Sequence, residues 1–351
     1  MTTVHAQDRT AATPEIIADL MSRARAAQKQ FADADQERTD EAVRAVAWSI
    51  YKPEHAQALA ELAVADTGLG NVPDKIIKKQ RKTFGTLRDL LRARSVGEIE
   101  RDDKRGIVKF AKPIGVVAAV TPSTNPGATP ANKAMMAIKG RNAIIIAPSP
   151  LGYRTTELVV GYMRSALARI GLPEDLIQIL PAPVTKDTTQ ALMEAADLVV
   201  VTGSQDNVRR AYTSGTPAIG VGAGNVPVII DETANLDAAA LKICASKTFD
   251  NATSCSSENA VIIVDEVYDK AIDALKRAGG YLADAEQKAR IESNLWRNGK
   301  LNRNLIARDM AVLVDAFSLP EEAVGKKFSL VEETGIGPDH PFSGEKLALV
   351  L

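Results

Sequence analysis

From Thr13 to about Arg94 the apolar residues return at every third or fourth position. Ile16, Ile17, Leu20 and Met21 form one such stripe, and Val43, Val46, Ala47 and Ile50 form another. That spacing predicts helices with one buried face. Thr39-Asp40-Glu41 offers start chemistry for the second helix, and Asp66-Thr67-Gly68-Leu69-Gly70 marks a break before a third. Residues 96–110 then read as a surface hairpin, Val96 to Ile99 and Gly106 to Phe110 around the charged run Arg101 to Arg105. Beyond residue 113 short apolar runs alternate with helical ones. Strands are predicted at Ile114–Val120, Asn142–Ala147, Leu176–Leu180, Leu198–Val201 and Pro227–Ile230. Helices are predicted at Pro130–Ile138, Thr155–Ile170, Lys186–Ala195 and Gln205–Tyr212.

Alternation of that kind predicts an α/β fold with a parallel sheet covered on both faces, and ligands bind such sheets beyond the C-terminal strand ends. Thr121-Pro122-Ser123-Thr124-Asn125 and Thr202-Gly203-Ser204 fall at two of those ends. From Leu236 a second set begins: a helix to Phe249, a polar loop, a strand at 259–264, helices at 266–278 and 284–295, and a strand at Phe328–Val331. The expected division is therefore 1–235 and 236–351. The last residues, Leu347-Ala348-Leu349-Val350-Leu351, look like the middle of a strand, which implies a second domain that stops early.

A chain of 351 residues, 45% hydrophobic and 25% charged, suits a globular protein of about two domains. A net charge of −1 provides no field for nucleic acid or an acidic membrane, and 4% aromatics leaves little for base stacking. The basic run Lys78-Lys79-Gln80-Arg81-Lys82 reads as a solvated helix face. The N-terminus has no continuous apolar core of signal-peptide type, and no run approaches the length of a membrane span. Two cysteines without an export signal read as reduced thiols in the cytoplasm. His5, His55 and His340 lie far apart, so no metal site is expected.

Cys255 carries the chemistry. It stands among Ser254, Ser256 and Ser257 between a helix and a strand, where packing cysteines would have apolar neighbours. A loop thiol in polar company reads as a nucleophile. Attack on a carbonyl leaves an oxyanion that needs donors, and Asn125 is either such a donor or an Asx-turn residue ahead of Pro126. Gly220-Val221-Gly222-Ala223-Gly224-Asn225 is not a dinucleotide fingerprint, because its third glycine comes one place early and a strand follows. It reads instead as flexible backbone that admits a close approach. Gly203-Ser204, between strand and helix, offers backbone N–H groups suited to a phosphate.

Six segments occur in an order that resembles the aldehyde dehydrogenase superfamily, most of all its CoA-acylating branch, which includes the aldehyde half of bifunctional aldehyde–alcohol dehydrogenases. They are Lys112–Val116, Thr121–Pro126, Lys139–Ala143, Thr202–Ser204, Gly220–Pro227 and Phe249–Glu258. The resemblance runs from about residue 15 to Leu351. It implies a Rossmann-type cofactor domain and a second α/β catalytic domain, with the family's C-terminal part missing. It places the nucleophile on Cys255 and the oxyanion amide on Asn125. Thr121, Pro122, Ser123 and Thr124 fall at the nicotinamide end, Gly203 and Ser204 under the pyrophosphate, and Glu345 at the nicotinamide ribose. Gly222 and Gly224 belong to the close-approach segment. NAD or NADP is the implied cofactor and coenzyme A the co-substrate, in an enzyme that forms a homo-oligomer at full length.

Three departures from the family refine this expectation. Hydrolytic members have a glutamate base in the segment that here reads Ile219-Gly220-Val221-Gly222-Ala223, so transfer to CoA is favoured over hydrolysis. At the adenosine ribose the family's Lys-Pro-x-Glu is replaced by Ala147-Pro148-Ser149-Pro150. This removes a repulsion against a 2′-phosphate, and Arg154 either assists it or faces solvent. Ser254 and Ser256 flank the thiol where acetaldehyde-type members have apolar residues. A polar or anionic aldehyde follows, and the run resembles the sulfoacetaldehyde branch. The rivals are an acylating acetaldehyde or short-chain aldehyde dehydrogenase and a catalytically incompetent binding or regulatory subunit. The helix at 14–31 reads as domain packing rather than a targeting device.

Overall fold

A computed structural model describes residues 4–351, with side chains from Thr13 onwards. The chain divides into two compact units, the first made of 1–67 and 76–222, the second of 68–75 and 223–351.

In the first unit, α1 (Val4–Phe31), α2 (Gln36–Tyr51) and α3 (Pro53–Thr67) precede α4 (Val72–Arg92), whose first turn belongs to the second unit. The start of α2 differs from the expectation at Thr39. Asp35 is its cap, and the Asp35 side chain accepts from the Arg38 N–H. The single helical stretch expected up to residue 66 is two helices, because Pro53 holds Lys52 in an extended conformation (ψ 141°). Ile17, Leu20, Met21, Ala24, Ala27 and Phe31 of α1 are buried in this unit's core. The hairpin pairs β1 (Gly97–Asp102) with β2 (Ile107–Ala111), so Arg101 and Asp102 lie in a strand rather than in the turn.

The α/β alternation follows: β3 (Val116–Thr121), α5 (Ala128–Lys139), β4 (Ala143–Pro148), α6 (Tyr153–Arg169), β5 (Ile177–Ile179), α7 (Lys186–Ala195), β6 (Leu198–Thr202), α8 (Gln205–Tyr212) and β7 (Ala218–Val221). The strands form one parallel sheet in the order β5-β4-β3-β6-β7. Strands β3 and β4 are buried along their whole length, as continuous apolar runs in a covered parallel sheet should be. Burying each of Ile144, Ile145 and Ile146 contributes roughly 1.5–3 kcal/mol. Strand β3 begins two residues later than expected, since the N–H groups of Ile114 and Gly115 donate to Asn142 Oδ1. The segment read as flexible around Gly220 is in part an edge strand: β7 pairs with β6 from Ala218 to Val221.

The second unit contains β8 (Pro227–Ile230), α9 (Leu236–Thr248), β9 (Ala260–Ile263), α10 (Tyr268–Arg277), β10 (Gly280–Leu282), α11 (Ala285–Leu295), the short hairpin β11 (Trp296–Arg297) and β12 (Lys300–Leu301), α12 (Met310–Ala316) and β13 (Phe328–Leu330). The boundary falls after Gly222 rather than after 235 because Pro227–Ile230 pairs with β9 and not with the five-stranded sheet. Strand β10 pairs in parallel with β13. Leu349 and Leu351 exchange backbone hydrogen bonds with Ser329 and Val331, so the strand-like terminal run lies beside β13. No helix among the described residues is long and apolar enough to cross a membrane.

Candidate functional site

In the first unit the strand order reverses between β3 and β6, since connections run outward from β3 in one direction and from β6 in the other. The crevice at such a switch point is where parallel sheets take ligands. Thr121 closes β3 there. It is buried, and among the described residues its Oγ1 has no hydrogen-bond partner. The Ser149 N–H donates to the Thr121 carbonyl at 3.0 Å, which brings the ends of β3 and β4 together. Ser123 comes close to Gly152, just past Ser149. The Gly203 N–H donates to the Val221 carbonyl, and Ser204 caps α8 by accepting from the Asn207 N–H at 3.3 Å. Gly222 lies against the Gln205 carboxamide at the first turn of that helix.

Of the two readings of Asn125, the Asx turn is not formed. The Asn125 Oδ1 accepts from Lys78 Nζ at 3.2 Å. An ammonium can only donate, so this contact fixes the amide with its oxygen toward Lys78 and its N–H groups on the other side. Lys78 and its neighbour Lys79 are therefore not the solvated face that their sequence run suggested; both are buried. Lys133 on α5 is also largely buried, donates to the Val200 carbonyl at 3.3 Å, and is pushed down to about 8 by burial. Arg154 is exposed and pairs with Asp66 Oδ1 at 3.4 Å. The other oxygen of Asp66 accepts from the Thr155 N–H and hydroxyl at the start of α6. The corner expected to lack a carboxylate therefore has one close to Arg154, supplied by α3.

In the second unit the Ser257 N–H donates to the Ser254 carbonyl at 2.9 Å, closing a turn with Cys255 and Ser256 at its two central positions. Cys255 and Ser256 are exposed and Ser254 is half-buried, whereas Cys244 is buried in α9. Gly224 lies against the turn: a Cβ there would be 3.2 Å from the Cys255 carbonyl oxygen, so only glycine fits without displacement. The Gly224 N–H donates to Glu345 Oε1 at 3.3 Å. Burial raises the Glu345 carboxyl above its usual value, and the Gly224 N–H partly offsets this. Cys255, Gly224 and Glu345 are thus brought together. Glu345 also lines a cavity of about 1230 Å³ shared with Asn225, Trp296, Asp339 and Ser343.

The aldehyde dehydrogenase family model matches residues 2–283. The acylating sulfoacetaldehyde dehydrogenase of Cupriavidus necator is 54% identical over 341 residues, which cover 97% of this chain and 69% of the relative. The chain belongs to the aldehyde dehydrogenase family. Among solved structures, an acetylating aldehyde dehydrogenase from Geobacillus thermoglucosidasius superposes with a TM-score of 0.90 at 35% identity, covering 100% of this chain and 76% of the other. A propionaldehyde dehydrogenase from Rhodopseudomonas palustris with bound propionyl-CoA gives 0.81 at 25% identity, covering 95% and 73%.

Several buried charged groups near the thiol turn of this aldehyde dehydrogenase are not singled out by its sequence. Lys346 is buried and donates to the carbonyls of Phe342, Gly344 and Asn259, which ties the Glu345 segment to the strand leaving the thiol turn. Burial pushes it down to about 8. Lys247, fully buried in α9, donates to the Glu258 carbonyl at 2.8 Å. Burial and the nearby Lys346 push it well below the usual lysine range. The only local hint was the basic residue after Glu345; partners far along the chain made the rest. His55 stacks on Tyr162 and His340 contacts Glu333, while the His5 side chain lies outside the described residues.

Proposed function

We propose that this aldehyde dehydrogenase oxidises a small anionic aldehyde, sulfoacetaldehyde, to its acyl-CoA with NAD(P)+ through a thioester on Cys255. The observation that carries the reading is the exposed thiol at the apex of the 254–257 turn, flanked by two serines, in a chain 54% identical to an acylating enzyme for that aldehyde. The Cys255 thiolate attacks the aldehyde carbon. The Asn125 amide, oriented by Lys78, has N–H groups to donate to the developing oxyanion. Hydroxyls of Ser254 and Ser256 donate to the sulfonate, whose charge an apolar neighbour would leave unsatisfied. No carboxylate occurs in Ile219–Ala223 to activate water, so the thiol of CoA takes the acyl group from Cys255.

The residues of the first unit fit a nicotinamide dinucleotide. The buried, unpartnered Thr121 Oγ1 stands at the switch point, and Gly203 and Ser204 open a helix. Thr121, Pro122, Ser123, Thr124, Ser149, Gly203, Ser204 and Gly222 would hold it, with Gly224 and Glu345 serving the nicotinamide ribose. When bound, the cofactor accepts the hydride released from the aldehyde carbon. NADP+ is accepted at least as well as NAD+, supported by Pro150 in place of a ribose-binding glutamate and by Arg154 nearby. Two free thiols support a cytoplasmic setting, and the exposed Ile99, Ile107 and Phe110 of the β1–β2 hairpin support a homo-oligomer.

The test is NAD(P)H formation from sulfoacetaldehyde and from acetaldehyde, with each cofactor, with and without CoA. CoA-dependent turnover favouring sulfoacetaldehyde is expected. Free acid formed at full rate without CoA would overturn the acylating reading, and a clear preference for acetaldehyde would overturn the substrate.

A further inference from the structure

Five residues before the thiol, the backbone does something costly. Asp250, Asn251 and Ala252 are consecutive non-glycine residues at φ of 50°, 52° and 59°. Left-handed backbone suits Asp and Asn as single residues, but Ala rarely adopts it, and a run of three persists only where its surroundings impose it. Here the surroundings converge on one carboxylate. Asp250 is completely buried. Its Oδ1 accepts from the Asn71 N–H at 3.0 Å; its Oδ2 accepts from Lys75 Nζ at 3.1 Å and from the Thr253 hydroxyl at 2.6 Å. The Asp250 N–H in turn donates to Asp74 Oδ2 at 2.7 Å, the same oxygen that accepts from Asn71 Nδ2.

Room for this grip is made by Gly70. A Cβ there would stand 1.8 Å from Asp250 Oδ1, and its φ of +69° suits glycine. Asn251 adds a second anchor by donating to Asp309 Oδ1 at 2.8 Å. All these residues belong to the second unit, including the 68–75 segment that the chain contributes to it from far upstream. Thr253, the last gripped residue, leads directly into the 254–257 turn.

We propose that Asp250 is a positioning residue for the nucleophile: gripped by Asn71, Lys75 and Thr253, its buried carboxylate holds 250–252 left-handed and so sets where the next turn presents Cys255. The proposal rests on Cys255 being the nucleophile. It assigns Asp250 no contact with aldehyde, cofactor or CoA.

The experiment measures kcat, KM for each substrate, NAD(P)H affinity and melting temperature in Asp250→Asn, Thr253→Val, Thr253→Ser and Cys255→Ser. Thr253→Val removes one donor to the carboxylate with little change of volume. It should lower kcat roughly tenfold and the melting temperature by a few degrees, because a donor to a buried charge is lost, while NAD(P)H affinity stays near the parent's. Thr253→Ser restores the hydroxyl and should restore kcat. Asp250→Asn should cost at least as much as Thr253→Val; if it does not fold, the two threonine variants decide the matter. Parent-like kcat in Thr253→Val would overturn the clamp, as would kcat, cofactor affinity and melting temperature all falling together without rescue by serine. Full activity in Cys255→Ser would instead overturn the nucleophile assignment, and the catalytic consequence drawn from Asp250 with it.

Discussion

The first unit assembles its candidate cofactor groups from regular structure, and the second assembles its thiol turn from irregular structure. At the ends of β3, β4 and β6 the groups are in large part backbone N–H groups and short hydroxyls placed by strand register: Thr121 beside Ser149, and Gly203 beside Val221. Around Cys255 the backbone is left-handed for three residues, a buried carboxylate collects donors from residues 71–75, and two buried lysines tie down carbonyls on the far side. Register needs only an apolar pattern and a topology. A loop held by buried charges needs particular partners, and losing one leaves another buried and unpaired. Substitutions should therefore act locally and by degree in the first unit, but sharply in the second.

The largest expected effect is at the thiol. Cys255→Ala should abolish CoA-dependent aldehyde oxidation, whereas Cys244→Ala, within the apolar packing of α9, should leave most of it. Alkylation of the parent with peptide mapping checks the same point: inactivation that tracks Cys244 would reverse the assignment.

Next comes the first unit's one sharp feature. Asn125→Ala should lower turnover by roughly a hundredfold or more with cofactor binding retained. Lys78→Met, which leaves the amide in place but removes its orienting ammonium, should cost less than Asn125→Ala. Equal losses would mean that Lys78 does more than orient. Near-normal turnover in Asn125→Ala would return that residue to a purely local role.

A pH experiment compares the units through one residue type. Lys346 is buried with a folded pKa of about 8, below the ordinary lysine value of 10.5. Between those values the unfolded chain holds more protons than the folded one, so stability rises with pH across the window. The penalty for burying the charge is fully present below about pH 8. Lys346→Met should therefore flatten the dependence of the urea midpoint on pH from 8 to 10, a difference of roughly 3 kcal/mol at most. Lys133→Met in the first unit tests the same effect at a lysine that donates to a single carbonyl. Parallel curves for parent and Lys346→Met would show that Lys346 keeps an ordinary pKa.

The contrast also explains what was legible in the sequence. Alternating apolar runs gave the α/β class and the five-stranded parallel sheet's helices nearly at their observed limits, and the order of six segments gave the family. Missed features have partners that spacing does not reveal. The β7 pairing was hidden because glycines suggested loose backbone. Pro227–Ile230 was assigned to the wrong side of the boundary because a strand's sheet is set by its partner, β9. Lys78 and Lys79 looked solvated because a basic run on a helix normally is. Asp250 sat in the quoted thiol segment without distinction, since nothing local signals a bond to Asn71 or Lys75.

The smallest effect concerns the choice between cofactors. On the proposed reading Pro150 stands in place of a ribose-binding carboxylate, yet Asp66 lies 3.4 Å from Arg154, so the two side chains would oppose each other toward a 2′-phosphate. Arg154 is largely exposed, and solvent screens what either charge can contribute. Arg154→Ala should shift the ratio of kcat/KM for NADP+ over NAD+ downward by only about two- to fivefold. Asp66→Asn should shift it upward by a similar factor. The asparagine Oδ1 can still accept from Thr155 at the start of α6, so melting temperature should stay near the parent's. Opposite shifts from the two variants would place the 2′-phosphate within reach of this pair. Unchanged ratios in both would mean that Arg154 merely faces solvent, leaving Ser149 and Pro150 as the groups that set cofactor choice.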